Sequence, residues 1–335
     1  MRKRALAGLL LLVLVAGAGL ALAGCSDREA LTIYSGRTEN LVGPLLERFS
    51  EETGTEVDVR YGDTADLALL IAEEGDRTPA DVFFSQSPGA AAFLDEKGLL
   101  GALPQSVLDL VDPRFHAADG RWVGVSGRQR VVVYNRDMVE EGDLPDSVFD
   151  LTAPEYRGRV ALAPSNGSFQ DFVTAMRTLE GEERAAAWLR AMAENDSPTY
   201  ANNNAIVEAV GRGEVPMGLV NHYYNERFLA EDPSLPSRNH TLADGDVGAL
   251  VIPSNVSILA GTDQPEAAEA FVRFLLSESA QAYFAEETFE YPLVDGVPPA
   301  GDLTPLDELR PPEYQPEQLA DLEGTARLIA ESGLD

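Results

Sequence analysis

Apolar positions along the chain switch repeatedly between a period of two and a helical period. Residues 31–34 (Leu-Thr-Ile-Tyr) read as a short strand, and Leu41, Val42, Leu45, Leu46 and Phe49 then fall on one helical face. Pro44 is expected in the first turn of that helix, where a missing N–H is tolerated. Residues 56–61 alternate like a strand, Leu67, Leu70 and Ile71 mark a second helix, residues 81–84 a third strand, and residues 90–97 a further helix. This alternation predicts parallel strands joined by crossover helices. In such open sheets ligands sit beyond the carboxyl ends of the strands, which singles out the loops after Tyr34 and Phe84.

Residues 130–134 (Arg-Val-Val-Val-Tyr) form a β-branched strand late enough to cross to a second unit. There the pattern gives a strand near residues 159–163, a helix from Ser168, a helix over 185–193, a strand over 215–220 and a helix from about Tyr223. Residues 249–252 are another apolar strand, followed by helical patterns over 265–276 and 279–285. The stretch after Glu290 is rich in proline and has little periodicity. Two α/β units joined by two strands predict an α/β fold of two hinged lobes with a cleft between. One lobe takes residues 31–129 plus 254–310, the other 130–253, with 311–335 as a tail.

The first residues change the picture of where this fold works. Arg2, Lys3 and Arg4 precede an uncharged, Leu- and Ala-rich stretch ending in Leu22-Ala23-Gly24-Cys25. A basic start, an apolar run and small residues before a cut mark a secretory signal. A cysteine at this point resembles a bacterial lipoprotein signal, in which Cys25 becomes the lipid-bearing N-terminus after residues 1–24 are removed, with 25–30 as a tether. The alternative is a plain membrane anchor, since twenty apolar residues can span a bilayer. The expected location is extracytoplasmic, lipid-anchored to the cell membrane. The four Asn-x-Ser/Thr sequons, at Asn166, Asn195, Asn239 and Asn255, carry no weight in a bacterium. With 56 acidic and 25 basic residues and a net charge of −31, the chain argues against a nucleic-acid partner. Its single cysteine excludes an internal disulfide and a multi-cysteine zinc site.

No nucleophile elbow, zinc-protease helix or phosphate-cradling loop occurs, and His116, His222 and His240 are scattered. The feature that stands out is Asn221-His222-Tyr223-Tyr224-Asn225, at the carboxyl end of a strand where a helix begins. Phenolate oxygen is a hard anionic donor suited to a hard cation such as ferric iron. A phenol with an ordinary pKa near 10 must lose its proton to bind. Taken alone, the pair also fits one packed ring and one exposed ring.

Six segments carry a resemblance: residues 34–38 (Tyr-Ser-Gly-Arg-Thr), 75–83, 127–131 (Gly-Arg-Gln-Arg-Val), 154–158 (Pro-Glu-Tyr-Arg-Gly), 221–224 (Asn-His-Tyr-Tyr) and 290–292 (Glu-Tyr-Pro). In this order and spacing the chain resembles the ferric-ion-binding proteins of bacterial ABC importers, within the type II periplasmic binding-protein fold. The resemblance implies capture of Fe³⁺ by the consecutive tyrosines Tyr223 and Tyr224 and delivery to an ABC permease with its ATPase. It implies no catalysis, and a monomer.

The chain departs from that pattern at three positions. Many relatives place a histidine where Thr38 stands and a glutamate where Gln86 stands, and others place a third tyrosine where Phe169 stands. The resemblance therefore implies a synergistic anion, carbonate or phosphate, as a further ligand. Its expected site is Ser165, Asn166, Gly167 and Ser168 at a helix start, where free N–H groups favour anions, with Asn203 and Asn221 nearby. An ordinary capping turn is the other reading of that stretch. Arg128 and Arg130 can hold an anion by paired hydrogen bonds or serve as structural ion pairs, and His222 is expected to be packed rather than ligating. The rival functions are a same-fold binding protein for a small organic or phosphonate anion and, from another class, a secreted hydrolase.

Overall fold

The computed structural model describes residues 30–334; the signal segment and Cys25 lie outside the described residues. The chain opens with β1 (Leu31–Ser35), α1 (Glu39–Thr53), β2 (Val57–Tyr61), α2 (Thr64–Glu74), β3 (Val82–Ser85), α3 (Pro88–Glu96) and the short α4 (Gln105–Leu108). The long β4 (Val123–Asn135) leads to β5 (Val160–Ala161), α5 (Gly167–Glu180), α6 (Glu182–Glu194), α7 (Asn203–Gly211), β6 (Met217–Asn221), α8 (His222–Glu231) and β7 (Ser237–His240). Then β8 (Val251–Ile258), α9 (Pro265–Leu275), α10 (Glu278–Glu286), β9 (Tyr291–Pro292) and α11 (Leu322–Ser332) complete it. No helix among the described residues is long and apolar enough to cross a membrane.

The strand order is β2-β1-β3-β8-β4-β6-β5, with β7 and β9 also on β4. β1 pairs in parallel with both β2 and β3, as the alternation predicts. β8 runs antiparallel to β3 and β4. The thirteen residues of β4 serve both lobes: Val123–Gln129 pair with β8, and Arg130–Tyr134 pair with β6. Two strands thus form the floor between the units. The apolar interiors divide accordingly. Phe49, Phe84, Phe271 and Phe284 centre one group, and Phe169, Phe172, Trp188 and Met217 another. The expected α/β, two-lobed architecture is what the chain forms.

Three details differ from the sequence reading. Pro44 lies beyond the first turn of α1. Proline there removes the bond to the carbonyl of Asn40, but both residues are exposed, so the orphaned carbonyl lies on the solvent side. The strand read at residues 130–134 is the second half of β4, because Gly124, Ser126, Gly127 and Gln129 give no apolar signal although all are buried. The segment after Glu290 is not without periodic structure: it ends in α11, whose apolar positions Leu328 and Ile329 are sparse and whose buried face includes Gly324 and Thr325.

This terminal segment ties the lobes together. The Tyr314 hydroxyl donates to the Val251 carbonyl at 3.1 Å, Leu319 is fully buried in the second-lobe core, and Leu322 packs on a first-lobe cluster. A Cβ on Gly89 of α3 would lie 2.3 Å from the Leu319 carbonyl oxygen. Gly89→Ala is therefore expected to destabilise by about 1–3 kcal/mol through overpacking. Gly43→Ala in α1, whose Cβ would meet nothing closer than 3.5 Å, should stabilise by roughly 0.5–1 kcal/mol. Urea denaturation of the two variants checks the opposite signs.

Candidate functional site

The end of β6 turns directly into α8, so Tyr223 and Tyr224 stand in the first turn of a helix, against the first-lobe core. Their rings stack at 4.1 Å between centroids and 29° between planes. Tyr223 is fully buried and its hydroxyl has no hydrogen-bond partner. Burial and the neighbouring Tyr224 push the Tyr223 phenol well above its ordinary value, while Arg37 and Arg128 pull it down. A buried hydroxyl without a partner costs about 1–3 kcal/mol, and a cation that takes the phenolate removes that cost.

Two residues outside the sequence-level candidates complete this corner. Arg37, in the loop after β1, donates from Nη2 to both carboxylate oxygens of Glu290 at 2.8 and 2.7 Å, and neither side chain is exposed. Burial works against the Arg37 charge, but Glu290 and the two tyrosines outweigh it and hold the guanidinium above its ordinary value. Its Nε and Nη1 have no partner. The two residues are 253 positions apart, and the only signal for either was its place in the segments around Ser35 and Tyr291.

Arg128 and Arg130 rise from β4 at the lobe junction. Arg128 Nη2 donates to the Gln86 carbonyl, and its Nε and Nη1 have no partner. Arg130 donates to the Ser168 hydroxyl at 3.4 Å and the Leu219 carbonyl at 3.3 Å, and its guanidinium lies over Phe172. Burial lowers the Arg130 pKa to about 9, so it stays charged at neutral pH. Facing both is Asp171 of α5, only 3% exposed, with Oδ2 unpartnered. Burial pushes its carboxyl up to about 6, against the pull of Arg128, Ser87 and Arg130.

The Ser165–Ser168 stretch is a capping turn. Asn166 Oδ1 accepts from the Ser168 N–H at 3.1 Å and the Ser168 hydroxyl at 2.7 Å, and Asn203 Nδ2 donates to both Asn166 and Ser168. The Ser168 N–H is therefore spent on the helix's own cap. Bare charged donors that act on Tyr223 are the Arg37 and Arg128 guanidinium nitrogens, and Asn225 Nδ2, beside Tyr224 in α8, is unpartnered as well. Asn221 is buried at the end of β6, opposite Arg130.

The remaining sequence candidates lie as follows. Thr38 is exposed and bonds Asn40 at 2.6 Å. Gln86 donates its amide to the Gly36 carbonyl at 2.7 Å. Phe169 is in the aromatic core with Phe172 and Trp188. His222 accepts from the Gln129 N–H at 3.1 Å and donates to the Phe289 carbonyl at 2.9 Å, so both ring nitrogens are used. Burial lowers its pKa to about 4. A cleft of about 210 Å³ remains between Gln86 and Ser87 on one side and Ser165, Asn166, Gly167 and Asp171 on the other. A larger cavity of about 490 Å³, between the Phe115 turn and residues 306–315, lies away from the tyrosines.

A family model described as bacterial extracellular solute-binding protein matches residues 77–315. The chain belongs to this family. Among characterised relatives of this solute-binding protein is the Fe(3+)-binding periplasmic protein of Serratia marcescens, 32% identical over 312 residues and covering 92% of each chain. The crystal structure of iron-bound HitA from Pseudomonas aeruginosa is similar with a TM-score of 0.87 at 35% identity, covering 91% of this chain and 99% of its own. Trichodesmium IdiA (FutA), in complex with iron and citrate ligands, is similar with a TM-score of 0.78 at 26% identity, covering 91% and 100%. The two-lobed solute-binding fold is common to all of them.

Proposed function

We propose that this solute-binding protein captures ferric iron outside the cytoplasmic membrane, with a synergistic anion, and delivers it to an ABC permease. The observation that carries the reading is the stacked Tyr223–Tyr224 pair, with Tyr223 fully buried, its hydroxyl unpartnered, and the Arg37 and Arg128 guanidinium groups acting on it. Adjacent, stacked phenols offer two hard oxygen donors, and Arg37 and Arg128 favour the ionised form of Tyr223. Arg128 is the residue best placed to hold the anion, since two of its nitrogens are bare.

Catalysis has no part in this reading. His116, His222 and His240 each bond a main-chain carbonyl. The permease with its ATPase is the partner, and the protein works as a monomer. Adding ferric salt to the purified protein should produce a purple-to-red band that saturates at one iron per chain. A colourless titration would overturn the proposal. It would favour the second reading, a binding protein for a small organic or phosphonate anion, for which the bare arginine nitrogens are the supporting observation.

Cys25, the single cysteine, provides the membrane tether in this reading. Cys25→Ala is expected to release the protein from the membrane fraction or leave it unprocessed. Cell fractionation with mass measurement checks this; fully processed variant in the membrane fraction would sink the lipoprotein assignment.

A further inference from the structure

The cleft contains a carboxylate that neither the tyrosine pair nor the Arg37–Glu290 pair uses. Asp171 sits one turn into α5, nine-tenths buried, with Oδ2 unpartnered and facing the cleft. Its surroundings come from two elements besides its own helix. Ser87, at the start of α3, lines the same cleft from the other lobe, and its hydroxyl, with Arg128 and Arg130 of β4, favours the ionised carboxylate. The same arginines look toward the tyrosines: Arg128 acts on Tyr223, and Arg130 feels Tyr224. Asp171 and the phenols therefore act on the same two guanidinium groups.

The buried charges around this cleft decide what can accompany the metal. Arg37 and Glu290 cancel as a buried ion pair. Arg128 and Arg130 bring two positive charges and Asp171 brings one negative. A ferric ion on two phenolates adds one more positive charge. About two positive charges remain among the buried groups, the exposed Asp63 and Asp66 at the cleft rim being screened by solvent, and uncompensated buried charge is costly. A dianion matches that excess; without Asp171 the matching charge would be that of a trianion.

Building on the ferric reading above, we propose that Asp171 sets the charge of the synergistic anion, selecting a dianion such as carbonate or hydrogen phosphate over a trianion such as citrate. It acts through Arg128 and Arg130, as a residue that tunes specificity and does not touch the metal. With its carboxyl pKa near 6, it is ionised at neutral pH.

The test is ferric affinity at pH 7.5 in weakly coordinating buffer, measured with carbonate, phosphate, citrate or no added anion. Wild type, Asp171→Asn and Ser87→Ala are compared. Wild type is expected to bind iron at least about 10-fold tighter with carbonate or phosphate than with citrate. Asp171→Asn should move that ratio about 10-fold or more toward citrate, and Asp171→Ala, which also removes the charge, should follow it. Ser87→Ala loses the contact and keeps the charge, so it should weaken every affinity alike and leave the ratio in place. An unchanged ratio in both Asp171 variants overturns the proposal. So does a Ser87→Ala shift as large as that of Asp171→Asn. If wild type binds no iron with any anion, the ferric reading itself fails, and this inference with it.

Discussion

Tyr223→Phe is expected to abolish the visible ferric band and weaken iron binding roughly 100-fold or more, while making the iron-free protein more stable. The two effects have one origin. In the iron-free protein the Tyr223 hydroxyl is buried with no partner, and removing it relieves about 1–3 kcal/mol of unsatisfied desolvation. The ring itself, stacked on Tyr224 and in edge contact with His222, stays in place. Loss of a direct ligand should cost at least as much as the 10–100-fold seen when outer-shell partners are removed. Tyr224→Phe should also lose the band, but without a comparable gain in stability, because Tyr224 is only partly buried. Urea denaturation of the iron-free variants, beside ferric titration of the same samples, reads both effects. A double variant that folds and still binds ferric iron at wild-type affinity would remove the tyrosines from the site.

The same chemistry fixes a pH dependence. Burial and Tyr224 raise the Tyr223 phenol, so it is protonated at neutral pH until the metal displaces the proton. Each phenol that becomes a ligand releases one proton, and affinity falls as pH falls. With both phenols ligating, the slope should approach about 100-fold per pH unit between pH 6 and 8. Proton release measured in unbuffered solution, corrected for the iron source and for any proton the accompanying anion loses, should approach two per ferric ion.

What could be read from the sequence followed the strength of local signals. The alternation of β1, α1, β2, α2, β3 and α3 is visible because each element has one apolar face and its own turn residues. The first half of β4 was not visible, because a strand at a lobe junction can carry glycine, arginine and glutamine and still be buried. Gly124 must stay small there: a Cβ would meet the Phe115 carbonyl at 2.8 Å. The tyrosine pair was legible because its two members are adjacent at a strand-to-helix turn. Arg37 with Glu290 was not, since the pairing exists only once β1 and β9 fold against the same cleft. Asp171 was hidden for another reason. A lone aspartate on an amphipathic helix reads as a solvated position, and only closure of α5 over Ser87 and Arg128 buries it.

The protein's departures from the ferric-binding pattern lead to the second large expected effect. Thr38 faces solvent and is engaged with Asn40, so it offers the cleft nothing. Gln86 is inside the cleft but presents a neutral amide, whose N–H₂ is already given to Gly36. Glu290 is the carboxylate whose charge acts on Tyr223, and both its oxygens are held by Arg37. Two phenolates therefore face a triply charged ion with no free protein carboxylate beside them. Iron binding by the wild type is expected to fall about 100-fold or more in anion-stripped buffer and to recover on adding carbonate or phosphate. The size follows from the strength of charge-assisted bonds to a bare guanidinium and the cost of leaving charge uncompensated. Gln86→Glu should reduce this dependence to roughly 10-fold by supplying one negative charge from the protein. The same variant loses the bond to Gly36 and sets a carboxylate against a carbonyl oxygen, so the iron-free form should lose about 1–2 kcal/mol of stability. Adding Asp171→Asn to Gln86→Glu restores the wild-type charge total and should restore much of the anion dependence, although the two side chains stand on different lobes. Ferric affinity with and without each anion, for wild type and both variants, decides the matter. Tight binding by the wild type in stripped buffer, unmoved by added anion, would mean that Glu290 leaves Arg37 for the metal when iron enters. The Arg37–Glu290 pair, and no external anion, would then be the site's charge reserve.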